Sequence, residues 1–151
     1  MHPMARMVTT QFEAMARRLT ELGLGYLSLD RAGSTLSTAE RQRVQLARAV
    51  RNDTTGVLYV LDEPSVGLHP LDTQALVGVL DRLLAKGATI VLVEHDLDLI
   101  ATADHVIDMG PGGGAAGGRI IATGTPEQIA ASTDSITGQY LRARPVMSQR
   151  S

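Results

Sequence analysis

Apolar residues recur along this chain at two spacings, and the change from one spacing to the other marks its elements. Between residues 9 and 22, Phe12, Met15, Leu19 and Leu22 fall every three or four positions, Thr10 and Glu13 have the spacing of a capping box, and Gly23 follows, which predicts a helix. A second helix is predicted from Ser37, which pairs with Glu40 in another capping box and turns Val44, Ala47 and Val50 inward. The apolar pattern then becomes continuous: VLYVLD (57–62) and TIVLVE (89–94) suit strands buried on both faces. Residues 71–86, between them, predict an amphipathic helix with Leu76, Leu80, Leu83 and Leu84 on one face and Gly87 at its end. LDLIATA (97–103) predicts a short helix and HVIDM (105–109) a third strand. A Gly-rich turn, a short strand RIIAT (119–123) and a helix opened by Thr125 and Pro126 complete the pattern. Strand and helix alternate, so the expected class is α/β, a mostly parallel sheet with flanking helices. The tail from Arg142 is polar and is expected to fray.

Composition narrows this little. A length of 151 residues with 44% hydrophobic and 20% charged residues fits one packed domain. The chain has no cysteine, which excludes disulfides and thiolate-bound zinc or iron–sulfur sites and fits a reducing compartment. No apolar run approaches eighteen residues and no signal-peptide stretch opens the sequence, so a cytoplasmic protein without membrane contact is expected. The net charge of −2 conceals seven arginines against four acids in residues 1–50, an excess too small to name a polyanionic partner. One Phe and three Tyr are too few for a base-stacking platform.

The candidate chemistry sits where the apolar runs end. Asp62 and Glu63 close the first run and Pro64 breaks it; Glu94, His95 and Asp96 close the second. Open α/β sheets bind ligands at such strand ends, and paired acids there hold metal-bound water beside a phosphate. Each feature alone also has an ordinary explanation, since acids after strands cap helices and a lone histidine is usually structural. Gly112, Gly114 and Gly117 fit G-x-G-x-x-G after a strand, but a strand rather than a helix follows, so they are expected to turn a hairpin instead of holding a dinucleotide. The phosphate cradle G-x-x-x-x-G-K-S/T does not occur; the sole lysine is Lys86, followed by Gly87.

The order of these pieces resembles the ABC ATPase family. LSTAE (36–40) stands where that family has its signature, VLYVLDE (57–63) resembles its Walker B motif, SVGLH (65–69) its D-loop and EHD (94–96) its switch histidine. DEPSVGLHP, GLGYLSLDR, ADHVIDMGPGGGAAGG and TGQYL are similar to the UvrA branch of the family, and LDRAGSTLS is more like the approach to the signature in its first nucleotide-binding domain than in its second. The resemblance implies an incomplete P-loop NTPase domain lacking the Walker A strand. Residues 1–35 would be a helical lead-in, 36–141 the C-terminal part of the nucleotide-binding domain, and 142–151 a flexible tail.

It also implies roles. Asp62 would orient the water shell of Mg²⁺, Glu63 would polarise the attacking water and His95 would contact the γ-phosphate of ATP. Ser37, Thr38, Ala39 and Glu40 would face a nucleotide held by an opposing Walker A segment, although the family has two glycines where Thr38 and Ala39 stand. Ser65, Gly67 and His69 would form the loop that links two sites. Arg41, Arg43, Arg48 and Arg51 would give the signature helix a basic exposed side, more simply a solvated face than a DNA contact. The implied partners are the rest of the same ATPase and a second nucleotide-binding domain, with DNA and a UvrB-like protein reached through regions that this sequence does not match, as it does not match the family's zinc modules. A transporter-type ATP-binding subunit and a non-enzymatic interaction module are the competing readings.

Overall fold

The computed structural model describes residues 3–51, 54–110, 112 and 117–143. They form two bodies, Met1–Glu94 and His95–Ser151.

In the first body, α1 (Pro3–Glu21), a 3₁₀ turn (Gly33–Thr35), α2 (Thr38–Ala49), β1 (Leu58–Asp62), α3 (Pro70–Leu84) and β2 (Thr89–Val93) follow in order. β1 and β2 pair in parallel from Leu58 opposite Thr89 to Asp62 opposite Val93, and α3 is the crossover between them. Leu76, Val79, Leu80 and Leu83 of α3 are buried, as are Leu61 of β1, Leu46 and Ala47 of α2, and Leu22 and Leu24 beyond α1. Gly23, at φ +69°, ends α1 in a Schellman turn: its N–H donates to Thr20 O at 3.0 Å and that of Leu24 to Leu19 O at 2.9 Å.

Four expectations need correction here. α1 begins at Pro3 rather than residue 9, because Met4, Ala5, Arg6 and Met7 are good helix formers; Thr10 therefore lies inside the helix and caps nothing, and Phe12 is 55% exposed. The buried face of α2 runs through Ala39, Arg43, Leu46 and Ala47, with Val44 and Val50 only half-buried. Leu84 of α3 is exposed, and Thr73 and Val79 take its place on the buried face. The strands are covered on one face only: Leu58 and Val60 are 60% and 64% exposed, Val91 and Val93 47% and 56%. Side chains alternate across a strand, so a continuous apolar run leaves every second residue bare when, among the described residues of this body, only one face is covered.

The second body carries α4 (Leu97–Ile100), β3 (Val106–Gly110), β4 (Arg119–Gly124), α5 (Pro126–Ala131) and α6 (Ile136–Ala143). β3 and β4 are antiparallel, with a bulge at Asp108/Met109, so the pairing agrees with the expected hairpin; Gly114 lies outside the described residues. One parallel and one antiparallel pair therefore replace the single, mostly parallel sheet that the alternation predicts. α5 opens at Thr125 and Pro126 as expected, and a capping box with Gln128 completes its start, Thr125 N–H donating to Gln128 Oε1 at 2.9 Å. α6 is absent from the sequence-based expectation: it carries Arg142 in its last turn, so the predicted tail starts too early, and the rest of that tail (144–151) lies outside the described residues. Asp108 is buried in β3 and accepts hydrogen bonds from the hydroxyls of Ser135 and Thr137, fastening the start of α6 to the strand. A Cβ on Gly138 would lie 2.1 Å from Ile129 O, so α5 and α6 approach as only glycine allows. Among the described residues no helix is long and apolar enough to cross a membrane.

Candidate functional site

The end of β1 is built by contacts distant in sequence. Glu63 N–H donates to Val93 O at 2.8 Å, continuing the ladder one residue beyond the strand. The backbone then leaves it abruptly: Glu63 has φ +46°, the sole positive φ at a non-glycine position among the described residues. The left-handed region costs an L-residue roughly 1–2 kcal/mol. Asp62 and Glu63 are exposed while Pro64 and Ser65 are buried, so the acids point outward from an anchored turn. Val66 N–H donates to Glu63 O at 3.1 Å and Leu68 N–H to Ser65 O at 2.9 Å, and Gly67 supplies the other left-handed residue, φ +76°. His69 closes the turn as the N-cap of α3, its Nδ1 accepting from Leu71 N–H at 3.3 Å.

Two side chains hold this turn from outside it. Arg43, in the middle of α2 and 2% exposed, donates through Nη1 to Pro64 O at 3.2 Å and Val66 O at 3.0 Å. This corrects its placement on a basic exposed side; Arg41, Arg48 and Arg51 are exposed as expected. Burial lowers the guanidinium's pKa, opposed by Tyr26, Glu40 and Asp72 nearby. From the other direction Glu94, next after β2, accepts Ser65 N–H at 3.0 Å and Ser65 Oγ–H at 2.9 Å.

The start of α2 is self-contained by contrast. Ser37 N–H donates to Glu40 Oε2 at 2.6 Å and Glu40 N–H to Ser37 Oγ at 3.1 Å, the capping box read from the sequence. Glu40 also accepts from the Tyr26 hydroxyl, with Arg31 Nη1 3.9 Å away. Tyr26 first and the Ser37 amide second hold the Glu40 carboxyl down at about 2. Its charge is thus turned inward, and of the predicted signature residues Ser37 and Thr38 are exposed while Ala39 and Glu40 are buried.

Asp62, Glu63, Ser65, Gly67 and His69 therefore share one turn, which Arg43 ties to the helix of Ser37. His95 is exposed and belongs to the second body. Arg43, Glu94 and Tyr26 are the structural partners that sequence reading misses. Arg43 left a signal, because positions 39, 43, 46, 47 and 50 have the spacing of one helix face, with an arginine among apolar residues.

Among the described residues no group of three His, Asp or Glu could enclose a metal. Mg²⁺ keeps most of its waters and takes one or two carboxylates together with substrate phosphates, so the exposed Asp62 would meet it through water rather than in an enclosed cage. A groove of about 330 Å³ between Ala14, Arg17, Arg18, Glu21, Val50 and Arg82 contains none of the predicted site residues.

No protein-family profile matches the chain. Individual relatives do. The UvrABC system protein A of Deinococcus radiodurans is 51% identical over 140 residues, 93% of this chain and 13% of the relative. The chain belongs to the UvrA family. Curated UvrA relatives are matched over 13 to 15% of their length. The crystal structure of UvrA2 from Deinococcus radiodurans superposes with a TM-score of 0.82 and 46% identity, covering 95% of this UvrA-family chain and 17% of that one. MJ1267, an ATP-binding cassette of an ABC transporter, aligns with a TM-score of 0.52 and 27% identity over 87% of this chain and 49% of its own.

Proposed function

We propose that this UvrA-family chain is the C-terminal part of an ABC nucleotide-binding domain and supplies the hydrolytic acids of one ATP site and the signature face of another. The observation that carries the reading is the pair Asp62–Glu63 at the end of a parallel strand, with Glu63 in a strained, left-handed backbone. Such strain costs stability and collects at functional sites. In this reading Asp62 orients the hydration shell of Mg²⁺ and Glu63 accepts a hydrogen bond from the attacking water. His95 senses the γ-phosphate, and Ser37 with the amides of the α2 start faces the nucleotide of a partnering domain. Ser65, Gly67 and His69 form the loop between the two sites. Thr38, exposed where the family has a glycine, brings a Cβ to the place where backbone would approach the nucleotide and weakens or specialises that half-site.

The bare apolar face of β1 and β2 is where the remaining part of the domain, with its phosphate-binding strand, is proposed to pack. The whole protein would couple ATP hydrolysis to damage recognition in nucleotide excision repair in the cytoplasm, meeting DNA and a UvrB-like protein through other regions. The transporter reading has one observation in its favour, the match to MJ1267, and it is the weaker match in identity and superposition.

Calorimetry with Mg-ATP tests the reading. Micromolar affinity needs about 8 kcal/mol, and the exposed N-terminus of α2 offers roughly 0.3–1 kcal/mol, while Asp62 and Glu63 repel a bare triphosphate. The chain alone is expected to give no saturable heat up to millimolar ligand. Supplying a segment with G-x-x-x-x-G-K-S/T in trans is expected to restore binding. Micromolar binding by the chain alone that disappears in Asp62→Ala would overturn the proposal.

A further inference from the structure

Glu63 cannot keep its backbone at φ +46° by itself. A strained residue persists only where its surroundings over-determine it, and the residue before a proline is restricted further. The surroundings here are two side chains from distant parts of the first body. Arg43 holds the carbonyls on either side of Ser65, those of Pro64 and Val66. Glu94 holds Ser65 itself by amide and hydroxyl. Four hydrogen bonds involving charged groups thus fix three consecutive residues immediately after Glu63, and each such bond is stronger than a neutral one. Arg43 can do this only from inside the protein, which is why so polar a side chain lies on the buried face of α2, its Nε without an acceptor among the described residues. A buried charge is retained at a cost, and fixing one conformation is a reason to retain it.

We infer that Arg43 and Glu94 are positioning residues: a clamp that keeps Glu63 in its left-handed conformation and so sets the direction of its carboxylate. Because Arg43 projects from the helix that Ser37 begins, a shift of that helix moves the Pro64 and Val66 carbonyls with it. The clamp is thereby a mechanical link from the signature helix to the acid, and Glu94 fixes the opposite end of the link. Its significance for turnover rests on the ATPase reading above; its effect on the backbone does not.

A double-mutant cycle in the 151-residue chain tests the backbone effect. Glycine at position 63 adopts φ +46° without a Cβ clash, so Glu63→Gly is expected to lower the unfolding constant about threefold in the otherwise native chain. In Arg43→Lys and in Glu94→Gln the turn relaxes, and the same glycine is expected to give no gain. Exchange of the 65–68 amides is expected to rise about tenfold in both clamp variants, with the α3 core amides unchanged. An equal glycine gain in all three backgrounds, or unchanged 65–68 exchange, overturns the clamp. If Arg43→Lys does not fold, the near-isosteric Glu94→Gln carries the cycle alone. Turnover is measured after assembly with the phosphate-binding segment, where Glu94→Gln is expected to lower kcat about tenfold with KM little changed. An unchanged kcat overturns the role in turnover. An assembly of native sequence that hydrolyses no ATP overturns the ATPase reading instead, and the cycle still decides the clamp.

Discussion

The start of α2 and the end of β1 each present a glutamate, and the two are held in opposite ways. Glu40 is enclosed by near neighbours: Ser37 three residues before it, Tyr26 in the preceding loop and Arg31 beside them. Its carboxylate is fully used, and its backbone is ordinary helix. Glu63 is exposed, its backbone is strained, and the groups that hold its turn lie 21 and 29 residues from the residues they bond. A carboxylate spent on structure is buried among donors, while one kept for chemistry is left outward on a backbone that other residues brace. The proposed function accordingly gives the ligand-facing role to Glu63 rather than to Glu40.

Removing the brace is the largest way to break this contrast. Arg43→Ala leaves the Pro64 and Val66 carbonyls without their donor and opens a cavity in the first body, and about 3 kcal/mol of stability is expected to be lost. Chemical denaturation measures this, and a loss under 1 kcal/mol would mean that the turn holds itself. Ser37→Ala attacks the other side of the contrast. It removes one half of the capping box, so about 1 kcal/mol is expected to go, with the 65–68 amides exchanging as before. Faster exchange at 65–68 in that variant would show that the two regions are not separable in this way.

The smallest effect is a matter of pH. Glu40 has its folded pKa at about 2, below its usual 4.5, so its contribution is complete above about pH 4.5 and fades as the pH falls towards 2. Tyr26→Phe removes the main cause of the depression and is expected to flatten that part of the acid-unfolding curve. A curve in Tyr26→Phe that superposes on the native one between pH 4.5 and 2 would refute the assignment.

The same contrast explains what the sequence discloses. The capping box at Ser37 is legible because it is complete within four residues, and the start of α5 is legible from Thr125 followed by Pro126. The paired acids are legible too, since an apolar run stopped by Asp-Glu-Pro is a local pattern. The conformation of Glu63 is not, because it depends on Arg43 and Glu94, whose relation to the turn exists only after β1, β2 and α2 have come together. Arg43 itself misleads: beside Arg41 and Arg48 it reads as one more surface charge, and only its register with Leu46 and Ala47 reveals the buried face. VLYVLD and TIVLVE misled for a different reason. An apolar residue states what it would gain from cover, and the exposed side chains of Val60 and Val93 show that the described residues leave them without it.

Lys86 links two elements in a way that matters at the bench. Its ammonium, the sole lysine amine in the sequence, donates at 2.8 Å to the carbonyl of Val50, the C-cap of α2. Amine-directed reagents, which scatter over the surface of most proteins, have a single side-chain target here, at the joint between the end of α2 and the end of α3. Acylation there removes the positive charge from a helix terminus that favours it, so one reagent becomes a site-specific probe of whether that joint is closed.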